Sequence, residues 1–332
     1  MNFVTQFAPR YHGRLVMSTR VRISATGARA ATGKPAPDGE AVARMIAHWE
    51  GRFAQILPDE PDLIVVPECC DRYPQHPLAE RLAYYRERGE QVGDYFASVA
   101  RDNGCYVAYP AVREVEDGGW RNSVQLFDRD GESMGHYNKN HVVITETTEG
   151  GILAGCEAPL FECDFGTVGC AICFDLNFAP IREAYIDSSP DLILFPSMYH
   201  GGLMQAYWAY SCRSHLATAI CGMPSGVISP IGETLAMSTN YSDYVTCNVN
   251  LDCQVAHLDF NQAAFRAMKE KYRTGVTITD PGYLGSVLIT SEDEEVSSED
   301  MIREFDIELL DDYMDRSLAH RDDPENQAPE EH

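Results

Sequence analysis

Short, densely apolar runs alternate along this chain with longer stretches whose apolar residues recur on one helical face. Within residues 41–57 the side chains Val42, Ile46, Trp49, Phe53 and Leu57 fall at helical spacing after Asp38-Gly39, which predicts an amphipathic helix. It feeds residues 62–66, DLIVV, an unbroken apolar run of the kind that forms a strand covered on both faces. The helical pattern returns over residues 78–103 through Leu82, Tyr85, Val92, Phe96 and Val99, with interruptions expected near Gly89 and Gly93. Residues 1–16 read as irregular, and strands are expected over residues 15–23 and 105–109. Residues 123–127 and 135–139 flank Asp128-Arg-Asp-Gly131, a turn sequence that predicts a hairpin with Lys139 at the exit of its second arm.

In the second half, Val168, Cys170 and Ile172 alternate with Gly169, Ala171 and Cys173, a period-two pattern with one bulky and one small face. Phe174-Asp175 and the Asn-Phe-Ala-Pro that follows cannot extend this strand, so the Cys173 thiol is expected at its carboxyl end, the edge where open α/β sheets bind ligands. A helix over residues 182–187, a strand over 191–195 and a long helix over 203–221 come next. Strands at 223–229, 234–238 and 244–250, a helix at 260–272 and a last strand at 287–289 complete the pattern. Residues 61–68, PDLIVVPE, are echoed by residues 190–197, PDLILFPS, which predicts two pseudo-symmetric sheets with Glu68 and Ser197 at strand carboxyl ends.

Composition narrows the setting. With 332 residues and 44% hydrophobic content the chain can bury a large core, and no composition break separates comparable halves, so residues 1–290 are read as one domain. The net charge of −25 is concentrated in residues 292–332, which carry seventeen Asp or Glu against three Arg, a net of −14 that leaves −11 for the rest. The body therefore has no basic stripe for nucleic acid or an anionic membrane, and residues 291–332 form an acidic extension with its end expected to be disordered. Eleven cysteines, two of them adjacent at Cys69-Cys70, and no apolar secretory segment at the start point to a reducing, cytoplasmic setting with free thiols. The apolar runs are far shorter than the roughly 18 residues a membrane helix needs.

The chemistry candidates are Glu68 after a buried strand, Lys139 after a hairpin arm and Cys173 at a strand end. Cys170-Ala-Ile-Cys173, with Cys69 and Cys70, also spells a thiol-redox or zinc alternative, although a CxxC pair normally opens a helix or sits in a knuckle rather than inside a strand. Together, Pro67-Glu68, Tyr137-Asn-Lys139-Asn-His141 and Ile172-Cys173-Phe174-Asp175, in that order, resemble the three catalytic signatures of the nitrilase superfamily, the carbon–nitrogen hydrolases. Arg121-Asn122-Ser123 and residues 228–233 extend the resemblance, which covers roughly residues 15–289.

That resemblance implies an α/β fold, a four-layer α-β-β-α sandwich, with subunits joining as a homodimer or higher homo-oligomer. It implies a thiol acyl-enzyme hydrolysis of a small amide or N-carbamoyl compound, or alternatively a nitrile, without metal or organic cofactor. Cys173 would be the nucleophile, Glu68 the base and acid, and Lys139 with the Phe174 N–H the oxyanion holder. A second glutamate is expected at Glu149, with Glu146 as its rival. Many members carry an arginine where this chain has Asn177, so the substrate side differs; Tyr199 and His200 are expected to line the pocket. In the extension, Ile302, Phe305, Ile307, Leu309, Leu310 and Tyr313 are too apolar for a purely solvating tail. Residues 298–318 should dock, across a subunit interface or back onto their own subunit. The tail's local structure is ambiguous, since Ser298 can cap a helix while Phe305, Ile307 and Leu309 alternate as a strand would.

Overall fold

The computed structural model describes residues 19–33, 39–115 and 118–328. Two six-stranded mixed sheets lie face to face. In chain order the first sheet contains β1 (Arg20–Thr26), β2 (Leu63–Val65), β3 (Tyr106–Glu114), β4 (Trp120–Phe127) and β5 (Ser133–Asn138). The second contains β6 (Phe161–Glu162), β7 (Thr167–Cys170), β8 (Leu192–Ser197), β9 (His215–Ile220), β10 (Gly226–Ile228) and β11 (Thr234–Met237); β12 (Tyr244–Asn250) returns to the first sheet beside β1. Helices α1 (Glu40–Ile56), α2 (Leu78–Arg88) and α3 (Gln91–Asn103) belong to the first half, and a short α4 (Ile144–Thr148) follows the hairpin. Helices α5 (Ala179–Ser188) and α6 (Met204–Cys212) flank the second sheet. This is the expected α-β-β-α sandwich.

Its core is two-layered for the reason the patterns suggested. One face of each sheet packs on the other through Val65, Ala108, Tyr137, Ile172, Leu194 and Ala217, while Ile64 and Val66 face α1 and α3 through Trp49, Phe53 and Phe96. The small residues of β7 have a use: a Cβ at Gly169 would lie 2.8 Å from the Tyr185 ring of α5, whose hydroxyl donates to Cys170 O and accepts from Cys170 N. The echoed segments are β2 and β8, each parallel to both neighbours in its own sheet.

Several expectations are corrected. The helix expected over residues 203–221 stops at Cys212, with Arg213 in the left-handed region (φ 54°), because residues 215–220 pair with β8 as a fully buried strand. Tertiary pairing there overrides a stretch that carried no glycine or proline to break it. The strand expected to run to Cys173 ends at Cys170; Cys173 instead opens a 3-10 turn, Cys173–Asn177. Of the two interruptions expected in residues 78–103, the one at Gly89 (φ 48°) divides α2 from α3, whereas Gly93 lies within α3. Of the first expected strand, residues 15–18 lie outside the described residues, as do residues 1–16 read as irregular.

Beyond β12 a third sheet, β13 (Cys253–His257), β14 (Val276–Thr279) and β15 (Ser286–Ser291), builds a separate cluster with α7 (Gln262–Tyr272) and α8 (Ser298–Glu304). The boundary expected at residue 290 thus falls inside β15. Both readings of the tail find a place: Ser297 caps α8, accepting from Asp300 N, while Leu309 bridges Ala256 of β13 in extended form. Met301, Ile302 and Ile307 are buried against this chain's own Ala256, Met268 and Ile289, and α9 (Leu310–Asp322) follows on the outside. Among the described residues no helix is long and apolar enough to cross a membrane.

Candidate active site

Glu68 leaves the carboxyl end of β2 as the chain turns, Cys69 adopting φ 50° immediately after it. Its carboxylate, 3% exposed, is held by four donors. Oε1 accepts from Lys139 Nζ (2.9 Å) and Asn122 Nδ2 (2.8 Å). Oε2 accepts from the Met198 N–H (3.0 Å), and the Cys173 thiol hydrogen-bonds the same carboxylate. Met198 follows Ser197, the last residue of β8, so the two echoed strands meet at their carboxyl ends across the sandwich.

Lys139, 1% exposed, follows β5 and is fixed by Lys139 N–H donating to Asn122 O (2.8 Å). Its ammonium sits between two carboxylates, Glu68 and Glu146, the second at 2.8 Å. An ammonium has three N–H donors. Among the described residues two are used, by Glu68 and Glu146, which leaves the third for a ligand. Burial opposes the charge, but Glu68 and Glu146 outweigh it and hold the Lys139 pKa above its ordinary value.

Of the two candidates for a second glutamate, the structure brings Glu146 to Lys139 and leaves Glu149 exposed. Glu146 lies in the first turn of α4, where Oε2 also accepts from Val143 N–H (2.8 Å) and Oε1 from Asn122 Nδ2 (3.2 Å). Glu149 is the C-cap residue just past α4 and is exposed. Asn122 is a participant that sequence reasoning named only as part of a resemblance. Fully buried in β4, it donates one amide N–H to each glutamate and keeps both aimed at Lys139. Its place two residues before Val124, on the same face of β4, gave no sign of this, since polar residues in a strand usually face water.

Cys173 is nearly buried at 9% exposure and holds φ 49°, a left-handed backbone for a non-glycine residue, which costs about 1 kcal/mol or more. Asp175 supplies the restraint. Its Oδ2 accepts from Ile172 N–H (2.9 Å) and Tyr137 O–H (2.7 Å), and its Oδ1 accepts from His141 N–H (2.7 Å), with the His141 ring nitrogen at 3.1 Å. One buried carboxylate therefore ties the cysteine turn to the chain that carries Lys139. Burial and the neighbouring Glu68 push the Cys173 thiol up to about 12, against Lys139 and the Met198 N–H, so the resting sulfur is protonated. Phe174 N–H, at the start of the turn, donates to no backbone acceptor among the described residues and is a second donor beside the sulfur.

The other predicted pocket residues lie on the rim. Asn177 Nδ2 donates to Phe174 O (3.1 Å) and to Tyr199 Oη (3.0 Å), holding a polar lip. Tyr199 is near enough to feel Cys173 and Lys139, and burial chiefly raises its hydroxyl pKa. His200 Nδ1 accepts from Gly202 N–H (3.2 Å), and among the described residues no hydrogen bond or ion pair joins it to Glu68, Lys139 or Cys173. The CxxC alternative finds no liganding geometry. Cys69, Cys70, Cys170 and Cys173 are all free thiols, and burial raises the pKa of each. No group of three or more metal-capable side chains occurs among the described residues.

The chain is similar to known proteins. The chain is 21% identical over 218 residues to omega-amidase NIT2 of Xenopus tropicalis, covering 57% of this chain and 77% of that protein. To omega-amidase NIT2 of Homo sapiens it is 23% identical over 217 residues, covering 57% and 76%. An amidase from Nesterenkonia sp. AN1 superposes with a TM-score of 0.60 at 16% identity, covering 71% of this chain and 93% of that one. Saccharomyces cerevisiae Nit3, of the nitrilase superfamily, superposes with a TM-score of 0.57 at 16% identity, covering 76% and 97%. Residues 29–252 match the carbon-nitrogen hydrolase family, and with two thirds of its length inside that match the chain belongs to this family, as an amidase-like carbon–nitrogen hydrolase.

Proposed function

We propose that the protein hydrolyses the C–N bond of a small amide through an acyl-enzyme on Cys173. The observation that carries this reading is the convergence of a protonated thiol, a buried carboxylate hydrogen-bonded to it and an ammonium with one spare donor. Glu68 takes the thiol proton as sulfur attacks the carbonyl carbon, and the electron pair moves to oxygen. Lys139 Nζ and Phe174 N–H stabilise that oxyanion, a kind of contribution worth roughly 10²–10³ in rate per donor. Glu68 then returns the proton to nitrogen, the C–N bond breaks and ammonia or an amine leaves. In the second half, water gives a proton to Glu68 and attacks the thioester; collapse expels sulfur, which regains the proton, and releases the acid.

Because the thiol pKa stands near 12, the thiolate exists only as substrate is attacked, and Glu68 must act in the same step. Glu146 offsets the Lys139 charge and fixes its direction, and Asn122 donates to both carboxylates and holds them in place. The names of the omega-amidase relatives favour an amide over a nitrile, and an N-carbamoyl compound, with the same carbonyl and leaving nitrogen, fits equally. Ammonia release from a panel of primary amides, N-carbamoyl compounds and nitriles tests the reading. Turnover of an amide by wild type and none by Cys173→Ala is expected; equal release by both proteins would refute it.

A further inference from the structure

Glu68 sits where a strand turns, so the direction of its side chain depends on what anchors that turn. Cys69 is in the left-handed region (φ 50°), and the chain leaves the line of β2 at once. Cys70 N–H donates to Pro110 O (3.0 Å) of β3, and Trp49 Nε1 of α1 donates to Cys70 O (3.0 Å). Next comes Asp71, fully buried. Its Oδ2 accepts from Arg88 Nη1 (2.5 Å) and Tyr109 Oη (2.5 Å), while its Oδ1 has no hydrogen-bond partner among the described residues.

Arg88 is the last residue of α2 and only 4% exposed. Its Nη2 donates to Val112 O (2.8 Å), and its Nε donates to the carbonyl of Gly89 (3.0 Å), the residue that turns the chain toward α3. Val112 is the β3 residue paired with Asn122 of β4. One guanidinium therefore spans from the Glu68 turn to the strand position beside Asn122, and Asn122 is the amide that donates to Glu68 and Glu146. The carboxylate at the thiol and the residue that aims it are both referred to the same planar fork.

Stability does not account for this pair. Desolvation of two ions takes back much of their attraction, and a buried pair can often be replaced by apolar residues without loss. What the pair supplies is geometry, because the guanidinium presents its donors at fixed angles and a lysine cannot hold two acceptors in the same way. Among the described residues no hydrogen bond or ion pair joins the Asp71 or Arg88 side chain to Glu68, Lys139 or Cys173, so their influence on the reaction runs through the turn.

We propose that Asp71 and Arg88 are positioning residues, whose ion pair holds the Glu68 carboxylate in line with the Cys173 thiol. This rests on the hydrolase reading above. Asp71→Asn combined with Arg88→Met removes both charges at once and leaves no uncompensated ion buried, so the chain should fold and melt within about 4 °C of wild type. On an amide that wild type cleaves, kcat should fall by about 10- to 100-fold, the cost of a base displaced by up to about 1 Å, while KM changes by less than about threefold. Arg88→Lys keeps the charge and loses the fork, and should show most of the same loss. Alkylation of Cys173 by iodoacetamide near pH 8 reads the contact without substrate. The Glu68 charge keeps the thiol protonated, so loosening it should speed alkylation about three- to tenfold. The same two substitutions added to Glu68→Gln should change that rate by less than about twofold. In a folded double variant, kcat within about threefold of wild type, or an equal change in alkylation with and without Glu68, overturns the proposal. If the double variant does not fold, Arg88→Lys decides alone by the same limits. A Glu68-dependent change in alkylation in a protein that cleaves no amide would sink the hydrolase reading and keep the positioning role.

Discussion

Replacing Lys139 with methionine removes the only ammonium between two carboxylates while keeping most of the side-chain volume. Lys139 and Glu68 are 1% and 3% exposed, and Glu146 is 19% exposed, so the two negative charges are left facing one another with little water to screen them. Breaking a buried pair by removing one partner costs about 3–5 kcal/mol. At about 2–4 °C per kcal/mol, the melting temperature should fall by roughly 6–20 °C. Adding Glu68→Gln removes one of the two uncompensated charges, and its single amide oxygen can keep one of the two donors, Asn122 on the Oε1 side or the Met198 N–H on the Oε2 side. The double variant should therefore melt higher than Lys139→Met alone, a coupling of at least about 1 kcal/mol. Activity should show no such recovery: each single variant and the double should all fall by several orders of magnitude, because both residues serve one transition state. Differential scanning calorimetry and ammonia release on the same four proteins provide the cycle. Lys139→Met melting within about 1 kcal/mol of wild type, with kcat retained, would refute the placement of Lys139 between the glutamates.

Asn122→Ala should lower kcat more than it raises KM, since it loosens Glu68 and Glu146 without touching substrate, and should cost about 1–3 kcal/mol of stability; steady-state kinetics and chemical denaturation check both. Glu149→Gln should leave kcat unchanged and Glu146→Gln should lower it, the opposite ranking contradicting the assignment of the second glutamate. The Cys173 thiol, pushed up to about 12, should be alkylated by iodoacetamide at a rate that still climbs above pH 9 in the absence of substrate, as followed by mass spectrometry of its peptide. His215 is 3% exposed, and burial pushes its pKa down to about 4, so the fold holds it neutral. Its contribution, about 3 kcal/mol, is present above the unfolded value near 6.5 and is lost as pH falls through 4; His215→Gln should flatten the melting temperature over that window. Truncation after Thr290 should destabilise the chain, because it removes Met301, Ile302 and Ile307 from a cluster with Met268 and Ile289, whereas removal of residues 323–332 should leave the melting temperature unchanged.

What the sequence disclosed followed from strong local patterns. The buried runs ending at Val66 and Phe195 could only be central strands, and the Asp128–Gly131 turn fixed the hairpin and with it Lys139. What it hid depended on partners distant in the chain. Residues 215–220 lack any strand alternation because both faces are covered, so they read as a continuation of α6. Val276–Thr279 escaped notice since a four-residue run carries too little periodicity, and it becomes a strand only through β15. Glu146 and Glu149 cannot be separated by spacing from Lys139, because the choice depends on where a five-residue helix begins. Asp175 was read as the residue that ends a strand, and its four contacts became visible only when Tyr137 and His141 were brought beside it.

The central claim is that the Cys173 sulfur becomes covalently acylated with help from Glu68 and Lys139. Rapid acid quench of wild type during turnover of an amide, followed by peptide mass spectrometry, measures it directly. The acyl mass should appear on the peptide containing Cys173 and on none of the ten other cysteines, should vanish in Cys173→Ala, and should fall sharply in Glu68→Gln. An adduct on a different cysteine, or undiminished ammonia release by Cys173→Ala, would contradict the account.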